Sequence, residues 1–174
     1  ENVRQRYGKS LSRFLQARRL VEAGVSVVTV LAPGYWDTHS KNFTTMRKLL
    51  PLLDKGIHAL VTDLHERGLD EDVAVVVWGE YGRTPKVNSK AGRDHWPRAN
   101  TMLFAGGGMQ TGQVIGKTDP RGEDPVDRRV GPGDFLATIY HHLGINAEQV
   151  AIPNFSGRPI PILPHGKPIP ELMG

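Results

Sequence analysis

The sequence predicts an α/β fold in which the first two strands are parallel neighbours in a mostly parallel sheet. Residues 25–31 and 73–77 are near-continuous runs of β-branched and apolar residues, which is typical of strands covered on both faces. A long amphipathic segment, residues 43–67, separates the two runs. A helical crossover of this kind is the usual connection between parallel strands, so the order strand, helix, strand predicts the layered architecture.

The remaining elements follow from periodicity and turn residues. Apolar residues at helical spacing predict a first helix that ends at Gly24, and Pro51 predicts a kink or an N-terminal break in the long helix. A third strand is predicted at residues 101–107, followed by a ribbon near residues 113–117. Asp134 is predicted to cap a last helix over residues 135–143.

Composition indicates one domain. A chain of 174 residues with 39% hydrophobic content can bury a core. We expect residues 1–146 to form the core portion and the proline-rich residues 147–174 to lie as an extended tail on the same domain. The net charge of +4 is spread along the chain, which argues against a nucleic-acid partner, and no apolar run reaches membrane-spanning length. Because the chain has no cysteine, any metal must be held by oxygen and imidazole.

Polar residues with metal-ligand chemistry follow both predicted parallel strands. Asp37 and His39 lie after the first strand, and their spacing places both side chains on the same side of an extended backbone. Glu80 follows the second strand, and a further loop carries Asp94 and His95. Ligands bind outside the carboxyl ends of such strands, so the three loops predict one shared site for Zn²⁺ or a harder divalent ion.

Each of these pieces also has a purely structural interpretation. An isolated Asp-x-His sequence is common in surface turns, and Glu80 could form a loop salt bridge with Arg83. The convergence of three loops that carry ligand-type residues next to tryptophan and glycine favours the shared site.

Five segments together carry a family resemblance. The chain resembles the DUF1501 family, which is grouped with the alkaline phosphatase and sulfatase superfamily, through "YWDTHSKNF", "WGEYGRTPKVN", "GRDHWP", "LFAGGGMQTGQVIGKTD" and "GPGDFLATIYHHLGI". This resemblance implies a three-layer alkaline-phosphatase-like fold with a mostly parallel sheet and helices on both faces. It also implies a small anionic phosphate or sulfate ester as substrate and favours an exported or periplasmic location.

The resemblance assigns roles to individual residues. Asp37 and His39 stand near the superfamily's first metal-binding pair, Glu80 near the carboxylate after the next strand, and His95 near the last metal-binding histidine. The implied cofactor is a divalent ion, Zn²⁺ in the first place, with Mn²⁺, Ca²⁺ or Mg²⁺ as alternatives. Arg83 and Arg93 would supply forked donors for a tetrahedral oxyanion. Where the superfamily has Asp-His-Gly, this chain has Glu80-Tyr81-Gly82.

The superfamily's hydroxyl nucleophile lies upstream of the segment that the resemblance covers. Thr38 and Thr84 are the hydroxyls nearest the predicted site, and neither matches that role. The resemblance implies a metal-dependent hydrolase of phosphate or sulfate esters. If the nucleophile lies upstream, we expect this C-terminal portion to bind a divalent ion and an anion but not to hydrolyse a simple aryl ester. The alternatives are a non-catalytic anion- or metal-binding module of the same fold and a structural metal that pins three loops.

Overall fold

Three helices precede the first strand in the described part of the molecule. The computed structural model describes residues 3–173, and its first helices are α1 (Val3–Tyr7), α2 (Ser12–Glu22) and α3 (Asn42–Glu66). Gly24 follows α2 with a φ of 92°, a left-handed conformation that glycine adopts without strain. The predicted helix over residues 43–67 is confirmed as α3, which runs through Pro51 without a break.

The main hydrophobic core lies between these three helices. The aromatic ring of Phe14 on α2 packs against Gly56 on α3, where a Cβ atom would lie 2.5 Å from the ring. Glycine at this position therefore allows the two helices to approach closely. The buried members of the core are Tyr7, Leu11, Phe14, Ala59, Leu60 and Leu64.

All strand pairs in the described part of the chain are antiparallel. β1 (Ala74–Val77) pairs with β4 (Leu103–Gly106), with Ala74 opposite Gly106 and Val77 opposite Leu103. The other pairs are β2 (Gly82–Arg83) with β3 (His95–Trp96), β5 (Lys117–Thr118) with β6 (Pro125–Asp127), and β7 (Ala151–Pro153) with β8 (Pro159–Pro161). Each sheet has two strands.

The predicted parallel sheet and the three-layer alkaline-phosphatase-like fold are therefore wrong. Residues 25–31 contain no strand, and Val27 and Leu31 leave 66% and 75% of their surface exposed. A β-branched run favours an extended backbone but does not by itself provide a pairing partner or a cover. The strand predicted at residues 73–77 does form as β1, but its partner is the later, antiparallel β4.

A second, smaller core surrounds α4 (Pro132–His142). Phe135 on this helix is 1% exposed, and its ring lies 4.9 Å from Trp78 and 5.6 Å from Phe104. The N-cap of α4 is Gly131, whose N–H donates to the Asp134 carboxylate at 2.9 Å. The prediction that Asp134 itself is the N-cap is therefore wrong, because Pro132 begins the helix and places Asp134 at its third position.

The end of the chain packs onto α4. Beyond the β7–β8 hairpin, Ile169 and Leu172 are buried, and the Ile169 N–H donates to the Thr138 hydroxyl at 3.0 Å. The domain boundary at residue 147 stays a prediction. No helix among residues 3–173 is long and apolar enough to cross a membrane.

Candidate metal centre

Two segments distant in sequence form the site. Asp37 and His39 lie in the loop before α3, while Arg83 and His95 face each other across the β2–β3 pair. The loop between β2 and β3 folds against the first segment, since the Arg93 N–H donates to the Thr38 carbonyl at 3.0 Å. These backbone contacts bring residues 37–39 next to residue 95.

The contact between the two segments requires a glycine. Gly92 is buried against the backbone of His39, and a Cβ atom at Gly92 would lie 2.0 Å from the His39 carbonyl oxygen. Any other residue would push the loop away from the segment that carries His39. The glycine therefore sets the distance between the two halves of the site.

Three side chains point their ligand-type atoms at one another. His39 Nε2 lies 3.2 Å from His95 Nε2 and 3.1 Å from Asp37 Oδ1, and His95 Nε2 lies 2.9 Å from the same Asp37 oxygen. Two imidazole nitrogens and a carboxylate oxygen thus form a nearly equilateral triangle. Within residues 3–173 this is the one group of three or more His, Asp or Glu side chains close enough to hold a metal ion together.

Asp37 is the electrostatic centre of the cluster. Its Oδ1 accepts a hydrogen bond from Arg83 Nη2 at 2.6 Å, and the Tyr35 hydroxyl donates to its Oδ2 at 3.2 Å. The contact with His95 and the hydrogen bond from Arg83 hold the pKa of Asp37 well below its usual range. The carboxylate is therefore ionised at neutral pH and available as an oxygen ligand.

Asp94 lies behind His39, on the side away from the triangle. Its Oδ1 lies 2.7 Å from His39 Nδ1, and Asn88 Nδ2 donates to both carboxylate oxygens at 3.1 and 3.3 Å. The contacts with His39 and Asn88 lower the pKa of Asp94. Sequence reasoning placed Asp94 in the site loop but did not predict its bond to His39; its position next to His95 was the available signal.

Tyr81 closes one side of the cluster. Its hydroxyl lies 3.0 Å from His95 Nε2, and the two rings lie 4.2 Å apart. Burial, and then the neighbouring Glu80 carboxylate, raise the pKa of Tyr81, so the phenol is neutral at physiological pH.

Three of the predicted site residues lie outside the triangle, and one of these, Arg83, contacts it through Asp37. Glu80 is exposed and contacts Tyr81. Arg93 Nη1 donates to the carbonyls of Thr84 and Pro85 at 2.5 and 2.7 Å, and its guanidinium lies 5.7 Å from the Phe43 ring centroid. The structure thus brings Asp37, His39, His95 and Arg83 together, while Glu80 contacts the cluster through Tyr81 and Arg93 braces the loop.

The cluster lies at the surface rather than in a closed cavity. The side chains of Asp37, His39 and His95 are 35%, 47% and 44% exposed. A solute can therefore reach the triangle directly from the solvent.

In a fold of helices and two-stranded antiparallel sheets, the surface cluster of two imidazoles and a carboxylate is a candidate metal centre. The family model described as "Protein of unknown function (DUF1501)" matches residues 1–173, and the chain therefore belongs to the DUF1501 family. Searches of the curated proteins and of the solved structures found no match.

Proposed function

We propose that this protein binds a divalent metal ion, best Zn²⁺, through Asp37, His39 and His95, and acts on phosphate or sulfate esters as a metal-dependent hydrolase. The motif resemblance to the alkaline phosphatase and sulfatase superfamily supports the ester chemistry. The ligand geometry supports the metal, independently of how the strands pair.

The observation that carries the proposal is the shape of the triangle. Its three edges measure 3.2, 3.1 and 2.9 Å. Ligands bound tetrahedrally to Zn²⁺ at about 2.0–2.1 Å lie about 3.3 Å from one another, so the three atoms are already close to one face of a zinc tetrahedron. Three protein ligands leave the fourth position open, which is typical of catalytic rather than structural zinc sites.

The donor set also favours zinc over harder ions. Two imidazole nitrogens and one carboxylate oxygen suit Zn²⁺, whereas Mg²⁺ and Ca²⁺ prefer an all-oxygen set. When bound, the ion would supply Lewis-acid activation of a water molecule or of an ester oxygen.

Arg83 gives the site its preference for anions. The guanidinium uses Nη2 for Asp37 and Nη1 for the Arg93 carbonyl, at 2.6 and 3.3 Å. Arginine has five N–H donors in a planar fork, so further donors remain for the oxygens of a tetrahedral anion. The neutral Tyr81 hydroxyl, next to His95, offers one more hydrogen bond at the same edge of the cluster.

A second candidate function, a non-catalytic metal- and anion-binding module, is favoured by the state of the nearby hydroxyls. Thr38 is buried, and its hydroxyl donates to Asn42 Oδ1 at 2.5 Å. The Thr84 hydroxyl donates to the Lys86 carbonyl at 2.8 Å and accepts from the Asp94 N–H at 3.1 Å. Neither threonine is placed as a nucleophile, which favours binding without turnover or attack by a metal-activated water.

The test combines metal binding with turnover. Chelator-stripped protein is titrated with Zn²⁺ by calorimetry and then assayed with 4-nitrophenyl phosphate and 4-nitrophenyl sulfate. We expect one zinc ion per chain, and we expect the double variant His39→Ala, His95→Ala to lose it. The matched control is His58→Ala, His141→Ala, which also removes two imidazoles, both exposed and outside the triangle.

The outcomes separate the candidate functions. The hydrolase is supported if hydrolysis depends on zinc, is abolished in the double variant His39→Ala, His95→Ala (the site variant), and persists in the control variant. Zinc-dependent binding of phosphate or sulfate at Arg83, with hydrolysis no faster than in the site variant, supports the binding module. If the protein binds zinc but neither hydrolyses an ester nor binds an anion, only a structural role for the metal remains. If it does not bind zinc, the hydrolase, the binding module and the structural metal site are all refuted.

A further inference from the structure

The contact between Asp94 and His39 fixes where the imidazole carries its proton. An ionised carboxylate can only accept hydrogen bonds, so the hydrogen in the 2.7 Å contact belongs to His39 Nδ1. A neutral imidazole has one N–H, which leaves His39 Nε2 with a free lone pair. That lone pair faces His95 Nε2 and the Asp37 carboxylate.

This arrangement opposes the intrinsic preference of histidine. A free neutral imidazole side chain favours the Nε2–H tautomer. In that tautomer the hydrogen would project into the triangle and would have to leave before an ion could bind His39 there. Asp94 favours the opposite tautomer, because its oxygen lies 2.7 Å from Nδ1, closer than the 3.1 Å between Nε2 and Asp37 Oδ1, and that Asp37 oxygen already accepts a hydrogen bond from Arg83.

The carboxylate is itself held in place by the loop. Asn88 Nδ2 donates to Asp94 Oδ1 at 3.1 Å and also to the His39 carbonyl at 3.0 Å. The Asp94 backbone N–H donates to the Thr84 hydroxyl oxygen at 3.1 Å, and the Thr84 N–H donates to the Asp94 carbonyl at 2.9 Å. One amide therefore clamps both the carboxylate and the residue that the carboxylate orients.

We propose that Asp94 is a positioning residue that fixes the Nδ1–H tautomer of His39 and so preorganises the Asp37, His39 and His95 cluster for Zn²⁺. This inference rests on the proposed function, since it assigns Asp94 a role toward the same ion. A carboxylate behind a metal-binding imidazole also makes the coordinating nitrogen more basic, which strengthens its bond to the metal.

The experiment compares a graded pair of substitutions with a matched control. Asp94→Asn keeps a neutral acceptor next to His39, whereas Asp94→Ala removes the acceptor. The control is Asp70→Asn, because Asp70 Oδ2 lies 2.6 Å from His65 Nδ1 in a similar Asp–His pair that is not part of the cluster. Zinc affinity is measured by competition with a chromophoric chelator, and the tautomer of His39 by long-range ¹H–¹⁵N correlation spectra of metal-free protein at pH 8.

We expect Asp94→Ala to weaken zinc binding by about 10–100-fold, the usual effect of losing such a partner, with Asp94→Asn in between and Asp70→Asn unchanged. We also expect His39 to be the Nδ1–H tautomer in the wild type and to shift toward Nε2–H in Asp94→Ala. The thermal midpoint, recorded for every variant, separates this role from a loss of loop structure, because only a loss of loop structure would lower the midpoint.

Three results overturn the inference while leaving the proposed function intact. The first is a wild type that binds zinc with His39 already in the Nε2–H tautomer. The second is an Asp94→Ala variant that binds zinc as tightly as the wild type, and the third is an Asp94→Ala variant that loses zinc only together with its thermal stability. A wild type that binds no zinc refutes the proposed function and the inference with it.

Discussion

Replacing Asp63 with asparagine is expected to cost more stability than any comparable change on α3. Asp63 is 1% exposed and accepts three hydrogen bonds, from Arg18 Nε and Arg67 Nε at 2.9 Å each and from the Tyr7 hydroxyl at 3.1 Å. Arg18 is itself 5% exposed, and it also forms an ion pair with Glu22. The carboxylate thus neutralises a buried arginine between α1, α2 and α3.

The magnitude follows from what the substitution leaves behind. Asparagine has nearly the same volume, but it removes the charge and turns an N–H₂ group toward donors. Breaking a buried ion pair while leaving one partner in place costs about 3–5 kcal/mol, and we expect the lower end because Glu22 still pairs with Arg18 and Arg67. Tyr7→Phe removes a hydroxyl that lies 3.1 Å from Asp63 Oδ2 and 3.2 Å from the Ala59 carbonyl but removes no charge, and we expect a cost of about 1.5–3 kcal/mol.

Urea unfolding followed by circular dichroism measures the effect. The control is Asp54→Asn on the same helix, where the side chain is exposed, and we expect a change within about 0.5 kcal/mol. An Asp63→Asn variant that unfolds within about 1 kcal/mol of the wild type would show that the buried cluster does not contribute as argued.

The same cluster predicts a pH dependence. Burial opposes ionisation of Asp63, but the hydrogen bonds from Arg67 and Tyr7 and the charge of Arg18 outweigh it and lower its pKa. A lowered pKa in the folded state stabilises the protein above the unfolded value of about 3.9, and this stabilisation is lost as the pH falls through the folded value. The free energy of unfolding should therefore fall below about pH 4 more steeply in the wild type than in Asp63→Asn.

Two further predictions concern the site loop and the end of α3. Gly92→Ala should weaken zinc binding, because the new Cβ would lie 2.0 Å from the His39 carbonyl oxygen. The control is Gly79→Ala, where the nearest atom would be 3.7 Å from the new Cβ. Equal zinc affinities of the two variants would contradict this prediction. The hydrogen bond to Asp70 raises the pKa of His65, so this pair stabilises the fold below about pH 6.5 and the effect is lost as the pH rises through the folded value. Asp70→Asn should lower that pKa in an NMR titration, and an unchanged value would show that the contact does not form in solution.

Helices could be predicted from the sequence because their information is local. The 3.6-residue spacing of apolar residues located α3 to within one residue at each end, Asn42 and Glu66 against a predicted 43–67. Proline did not interrupt the helix, since tertiary packing can override a local propensity.

Strand pairing could not be predicted in the same way. The valines of residues 73–77 do form β1, yet the similar run at residues 25–31 forms no strand. Both runs favour an extended backbone. Residues 74–77 pair with β4, whereas no strand of the described chain pairs with residues 25–31. Direction and partner depend on contacts between distant residues that the local pattern does not record.

The same distinction between local and long-range information applies to the site. Asp37 and His39 could be recognised because their spacing places both on one side, and His95 because it stands in a distinctive loop motif. The bond between His39 and Asp94 spans 55 residues and depends on the close approach of Gly92. No spacing rule encodes that approach, so the orienting carboxylate became visible only in the structure.

The central claim is that one zinc ion binds Asp37, His39 and His95 together. X-ray absorption spectra of the protein loaded with one equivalent of Zn²⁺ test it most directly, because the outer-shell scattering counts imidazole ligands. The account predicts two imidazoles in the wild type, with nitrogen and oxygen ligands at about 2.0–2.1 Å, and one imidazole in His95→Ala. A spectrum with no imidazole, or one that His95→Ala leaves unchanged, would contradict the account.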